Sequence, residues 1–154
     1  MTHAGKPSSP DAARARAVRG LALAARSLEQ AAGDLTLAQY RVLAYVAAGA
    51  ERSSLVARGL ALAKPTVTAT VDALVERKLL TREAVEGDRR SLRLAVTRAG
   101  EAALQAAEAS MGKRLAEIVD YAGDSDALLT ALCDLDDAVA ARMEARLQQQ
   151  TVTT

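Results

Sequence analysis

The chain has 154 residues and a formal net charge of +1, and 36 Ala and 21 Leu dominate its apolar half, which lacks Phe and Trp. Ala and Leu favour helices, whereas a β-sandwich needs β-branched and aromatic residues, so the composition excludes an all-β fold. Its high apolar content and low net charge also exclude a disordered chain.

The first predicted elements are a disordered tail over residues 1–10 and two helices. Gly and Pro interrupt the tail, and the first helix runs from about residue 11 to Gly33, where glycine ends it. Thr36 is a good N-cap for the second helix, and Gly49 ends that helix. The first helix carries an apolar stripe at spacings of three and four: Val18, Leu21, Ala25, Leu28 and Ala32.

A helix-turn-helix is predicted over residues 53–77. Ser53 or Ser54 caps a short third helix, and Pro65 stands at the start of the fourth, where proline is well tolerated. Such a pair also occurs in many all-α folds, where its role is purely structural. Here the fourth helix would be an exposed rod that fits the major groove of DNA. Its predicted DNA-contacting residues are Lys64, Pro65, Thr66, Thr68 and Ala69.

Beyond Leu79 the apolar residues alternate, which predicts two strands joined by a turn near residues 86–89. A helix-turn-helix followed by such a hairpin has the order of a winged helix. Arginines on the wing could enter a narrow minor groove. The alternative is a solvated face, on which they pair with nearby carboxylates. The arginines concerned are Arg82, Arg89, Arg90, Arg93 and Arg98.

Two further helices are predicted after the hairpin. Thr97 caps the fifth, and Gly123 and Asp124 separate it from the sixth. Their apolar stripes have no place within a winged domain, so we expect two copies to pack through the first, fifth and sixth helices; the alternative is a monomeric bundle. Residues 11–33 and 98–150 would then form a helical dimerisation region around a winged helix-turn-helix domain at 34–97. Cys133, on the sixth helix, is expected to be a buried, inert thiol.

The near-zero net charge conceals a polarised chain. Residues 1–50 carry six basic and three acidic side chains, a net of +3. Residues 51–98 carry ten and six, a net of +4, and residues 99–154 carry four and ten, a net of −6. The basic part coincides with the predicted helix-turn-helix and wing, as expected for a segment that approaches phosphates.

Three segments of the chain resemble MarR-type transcriptional regulators. Residues 35–43 resemble the opening of their second helix, and residues 64–74 resemble their recognition helix. Residues 88–100 resemble their wing and the entry to the fifth helix. The similarity extends over about residues 21–147. Its most specific parts are the Asp-x-Arg of the wing and the Thr-x-x-Gly that follows.

The resemblance implies a mainly α fold with a small β-hairpin wing, and a homodimeric DNA-binding regulator that is often a repressor released by a small molecule. On the family pattern, Arg90 would reach the minor groove and Asp88 would orient it. The sequence departs from the pattern where members often carry Arg, since it has Ala69 and Ala73 there. Lys78 replaces the usual Gly after the recognition helix.

MarR-type regulators often bind aromatic or phenolic effectors in a crevice between the dimerisation helices and the winged domain. For the tyrosines of this chain, core packing is the alternative role. The candidate effector-binding residues are Arg26, Leu28, Tyr40, Arg41 and Tyr45.

The leading hypothesis is therefore a cytoplasmic regulator that binds double-stranded DNA. The alternative is a helical interaction module whose winged domain docks a protein. We expect no enzyme, because acid–base or nucleophilic chemistry needs positioned His, Cys or paired carboxylates, and the chain has one Cys and only His3. For the same shortage of His and Cys we expect no metal site, and we expect no cofactor. We expect no membrane partner either, since no apolar run reaches the length of a membrane span.

Overall fold

The computed structural model describes residues 9–85 and 88–152, apart from the side chains of residues 85–91, 147 and 149–152. The fold is mainly α with a two-stranded hairpin, which confirms the predicted class. The predicted tail lies outside the described residues except for Ser9 and Pro10. In chain order the elements are α1 (Pro10–Ala31), α2 (Leu37–Ala47), α3 (Ser53–Gly59), α4 (Lys64–Glu76), β1 (Leu80–Val85), β2 (Asp88–Val96), α5 (Arg98–Val119) and α6 (Ser125–Val152).

Side-chain caps define the start of several helices. Ser9 accepts a hydrogen bond from the Ala12 amide at 3.2 Å and so begins α1. Thr36 and Gln39 form a reciprocal capping box at α2. The predicted serine cap of α3 is wrong, because Ser53 is already helical and the extended Arg52 before it takes the N-cap position without a side-chain bond.

The core lies where α2, α3 and α4 meet the hairpin. Their apolar faces point inward at helical spacing, and burial of these side chains is the main force that holds the winged domain together. α1 packs mainly against α5, and this contact extends the same cluster through Leu28 and Ala31 of α1 and Ala107 and Met111 of α5. The largest fully buried side chains are Val42, Leu43, Val56, Val67, Val71, Leu74 and Leu80.

The hairpin is antiparallel, and its register confirms the predicted alternation. Leu80 pairs with Val96, Arg82 with Leu94 and Ala84 with Leu92. The Leu94 amide also donates to the carbonyl of Glu51 at 2.6 Å. This bond ties the wing to the segment that enters α3, so the wing and the helix-turn-helix form one unit.

Apolar faces of α1 and α6 remain exposed in the single chain. The predicted stripe of α1 is buried only at its C-terminal end: Ala32 is buried, whereas Val18 is 65% exposed. On α6, Val139 is 46% exposed. Cys133 is exposed as well, so its predicted burial is wrong in the single chain: it lies one position away from the half-buried Leu132. None of the described helices is both long and apolar enough to span a membrane.

Candidate nucleic-acid interface

The face of α4 that points away from the core is open to solvent. Val67, Val71 and Leu74 are buried on the inner face. Helical spacing then turns the residues between them outward, which leaves an uncovered rod of the width that the major groove accepts. The exposed residues on and beside this outer face are Lys64, Pro65, Thr66, Thr68, Ala69 and Asp72.

The N-terminal end of α4 has the chemistry of an anion site. Its N-cap, Ala63, offers no side-chain bond to the first turn, so the helix amides there are not capped by a side chain. The Thr68 hydroxyl donates to the Lys64 carbonyl at 3.0 Å, which leaves its oxygen free to accept. The Thr66 hydroxyl has no partner within the described residues, and so it can both donate and accept.

Further positive charge surrounds this end of α4. Arg58 of α3, Lys64 and Arg146 of α6 line an open depression of about 490 Å³. No carboxylate is among the described residues that line it. Neither Arg58 nor Arg146 was predicted from the sequence. Arg146 joins the other two side chains only because α6 contacts α3 in the folded chain.

Ion pairs hold two of the hairpin arginines. Arg93 donates to Glu83 at 3.0 Å and lies 3.3 Å from Glu51. The hydrogen bond with Glu83, together with the charges of Glu51 and Glu83, raises the pKa of Arg93. Arg82 pairs with Asp72 of α4. These pairs brace the hairpin against the helix-turn-helix, and the predicted contact of Arg93 with DNA stays a prediction.

The other predicted wing residues are described only in part. Asp88, Arg89 and Arg90 belong to β2 by their backbone. Their side chains lie outside the described part of the chain. Their predicted contacts with DNA therefore stay predictions.

A tight joint connects the C-terminal end of α4 to the start of α5. The Thr97 hydroxyl donates to the Lys78 carbonyl at 2.7 Å and accepts from the Gly100 amide at 3.0 Å. A Cβ on Gly100 would overlap the carbonyl oxygen of Leu79. The Thr-x-x-Gly pattern thus has a physical cause: threonine caps α5, and glycine lets α5 approach the backbone after α4.

The turn after α4 is a Schellman motif. The Leu79 amide donates to the Leu74 carbonyl, and the Lys78 amide donates to the Val75 carbonyl, both at 2.9 Å. The motif needs one residue with a left-handed backbone conformation, and Lys78 adopts that conformation with a φ of 58°. Gly49 fills the same role after α2 at a φ of 103°. Lys78 therefore occupies a position that glycine fits better.

Comparison with known proteins places this geometry in a family. The model of the MarR family matches residues 33–91, which cover the helix-turn-helix and most of the hairpin. Over these residues the chain resembles the MarR family. The resemblance found in the sequence is thereby confirmed. No curated protein matches the sequence.

Solved MarR structures share the fold over most of the chain. The repressor CouR of Rhodococcus jostii RHA1, solved on a 23-mer DNA duplex, is 28% identical with a TM-score of 0.67, and the match covers 79% of this chain and 89% of CouR. A MarR-family regulator from Rhodococcus sp. RHA1 is 21% identical with a TM-score of 0.72, covering 88% and 98%. MarR from E. coli is 21% identical with a TM-score of 0.67, covering 78% and 93%.

Within the MarR fold, a groove lies between α1, α2 and α5. It has a volume of about 320 Å³ and brings together two predicted effector-binding residues, Leu28 and Tyr40. The structure does not bring the other three candidates into it. Its lining residues are Ala25, Leu28, Leu37, Tyr40, Glu108, Met111, Gly112 and Leu115.

The three remaining effector candidates have other partners. Arg26 lies 3.6 Å from Glu29 on the surface of α1. Arg41 donates to the Leu60 carbonyl at 3.3 Å. The Tyr45 hydroxyl lies against Gly59, where any Cβ would overlap it, so Tyr45 packs in the core as the alternative interpretation held.

Proposed function

We propose that this protein is a MarR-type transcriptional repressor that binds a pseudo-palindromic DNA operator as a homodimer. The observation that carries the proposal is the uncovered outer face of α4, which stands directly beside an arginine-bearing hairpin. Thr66, Thr68 and the α4 amides supply donors and acceptors for phosphates and base edges. Ala69 offers only a methyl group, which suits contact with thymine.

DNA-bound relatives support the proposal. The CouR structure contains a 23-mer duplex, and a mutant MarR from E. coli has been solved with operator DNA. The charge distribution agrees, because residues 51–98 carry a net charge of +4 while residues 99–154 carry −6. The acidic part of the chain would then lie away from the phosphates, apart from the end of α6, where Arg146 lies beside Lys64.

The exposed apolar faces of α1 and α6 support a homodimer. Val18 and Leu21 on α1 and Leu135 and Val139 on α6 are all at least 40% exposed in one chain. Burial of such a face against a second copy removes apolar surface from water. A two-fold dimer would read half-sites about 34–36 Å apart.

The groove between α1, α2 and α5 supports regulation by a small molecule. It touches α1 and α5, which we place in the dimer region, and α2, which packs against α4. A ligand that fits only one orientation of these helices would shift the spacing of the two recognition helices, because it binds one state more tightly than the other. We propose that effector binding there releases DNA.

Selection of bound sequences from a random duplex pool tests the proposal. We expect an inverted repeat whose affinity falls steeply as salt rises, since phosphate contacts release counterions. Arg90→Ala should weaken operator binding by about tenfold, an effect of about 1.4 kcal/mol. Arg114→Ala is the matched control, because Arg114 pairs with Glu117 on α5, away from the helix-turn-helix. A reporter under the selected operator should rise in expression when the protein is absent.

The same experiment separates the alternatives. If no duplex is enriched, or if binding does not change with salt, the DNA-binding proposal is wrong. A stoichiometric protein partner that docks on the winged domain without DNA would instead favour the interaction module. If the Arg90→Ala variant enriches the same duplexes as strongly as the unmodified chain, the protein still binds DNA but Arg90 of the wing does not contribute.

A further inference from the structure

The charge of the groove between α1, α2 and α5 differs from that of a site for an acidic ligand. Glu108 is the one charged side chain among the described residues that line it. The two arginines expected near it are engaged elsewhere: Arg26 lies beside Glu29, and Arg41 bonds to the Leu60 carbonyl. Among the residues that the structure describes, no guanidinium or ammonium group therefore contributes to the lining.

Glu108 is available to a ligand. None of the ion pairs found within the described residues involves it. Glu108 and Tyr40 line the same groove, and the charges of Glu108 and Asp136 add to burial, the largest cause, in raising the pKa of the Tyr40 hydroxyl. The groove thus presents a negative potential above an otherwise apolar floor.

We propose that this groove binds a small cationic amphiphile, an apolar or aromatic body that carries a protonated amine, with Glu108 as the counter-charge. The body would lie against Leu28, Leu37 and Met111, and the amine would lie between Glu108 and Tyr40. The proposal deepens the effector role stated above and rests on it for the release of DNA. Binding itself can be measured without DNA.

Three physical effects favour this ligand class over a carboxylic acid. An ammonium group near the exposed Glu108 gains Coulomb attraction that solvent partly screens, whereas a carboxylate there is repelled. The Tyr40 ring offers a cation–π contact, and its hydroxyl offers an acceptor. A carboxylate would find the Tyr40 hydroxyl donor but no positive charge to offset its desolvation.

Three probes that share one aromatic body test the charge preference. They are 1-naphthylmethylamine, 2-naphthol and 1-naphthoic acid, titrated calorimetrically into the full chain at pH 7. We expect the amine to bind at least tenfold more tightly than the acid, with the neutral naphthol between them. The same titrations with operator DNA bound should show release by the amine.

Matched variants locate the effect. Glu108→Gln keeps the shape of the side chain and removes its charge, so it should abolish most of the preference for the amine. Tyr40→Phe keeps the ring and should weaken binding of the amine only modestly. Glu117→Gln removes one charge from the same helix outside the groove and should leave the preference unchanged.

Each outcome decides the proposal. Equal or tighter binding of the acid, no binding of any probe, or an unchanged preference in Glu108→Gln would each overturn it. These results leave DNA binding untouched, because that is measured on the same preparation without probes. Loss of operator binding would instead count against the proposed function, while tight, Glu108-dependent binding of the amine would still support this site.

Discussion

Gly100→Ala tests the joint between the recognition helix and α5. The added methyl would overlap the Leu79 carbonyl oxygen and come within 2.9 Å of a Val96 methyl. The carbonyl cannot turn aside without cost, since it accepts the Thr97 amide at 3.1 Å. α5 must therefore move away from the end of α4, and the Thr97 cap must stretch.

The expected cost follows from opposing effects. Forcing an extra methyl into a packed site costs about 1–3 kcal/mol. Replacing glycine by alanine within a helix raises the free energy of unfolding by about 0.5–1 kcal/mol. Because the overlap is with a backbone oxygen, the cost should lie in the upper half of its range, about 2–3 kcal/mol, and the net loss should be about 1–2.5 kcal/mol. For a chain of this size that corresponds to a fall of about 2–10 °C in Tm.

Urea unfolding followed by circular dichroism, at one fixed protein concentration, measures this loss. Gly112→Ala is the control on the same helix: Gly112 is exposed, and a Cβ there meets nothing within 4 Å. We expect that variant to gain about 0.5–1 kcal/mol. If Gly100→Ala were as stable as the unmodified chain, the close approach of α5 to Leu79 would be refuted.

Substitutions at three other positions have expected outcomes that separate strain, capping and charge. Lys78→Gly relieves a left-handed lysine and should raise the free energy of unfolding by up to about 1 kcal/mol, with a lower urea midpoint contradicting this. Thr97→Ala should lose about 1 kcal/mol with its cap, while Thr97→Ser should retain most of it in the same assay. Lys64→Ala should weaken binding to operator DNA and to random DNA equally, and should reduce the steepness of log affinity against log salt by about one. A loss of affinity confined to the operator would contradict a phosphate contact.

The effector site shows how far local pattern can mislead. The sequence placed Arg26, Arg41 and Tyr45 with Leu28 and Tyr40 because they share two neighbouring helices. Only Leu28 and Tyr40 face the groove, while Glu108 and Met111 arrive from α5. The position of a groove depends on how three helices pack, and helical spacing within one of them does not contain that information.

Cys133 illustrates a different error. Its neighbour Leu132 belongs to the apolar stripe of α6, yet adjacent helical residues point about 100° apart. The thiol consequently lies on the exposed side of the helix. Residue type favoured burial, and the rotation of the helix decided against it.

Elements whose causes are local can be predicted from the sequence. Thr36 and Thr97 cap helices through residues three positions away, Gly33 and Gly49 end helices through their own left-handed backbone, and alternation assigns the faces of the two strands. Each of these depends on a few neighbouring residues, so a pattern can encode it.

Which charged side chains form ion pairs, and which surfaces stay exposed, depends on the tertiary packing. Arg93 meets Glu51 across 42 positions of sequence, and Arg146 joins Lys64 from the far end of α6. Gly100 owes its necessity to the backbone of Leu79, which no spacing rule brings beside it. The physical reason is common to all three: long-range contacts are set by the burial of the shared core, and the ion pairs and clashes follow from where that packing places the backbone.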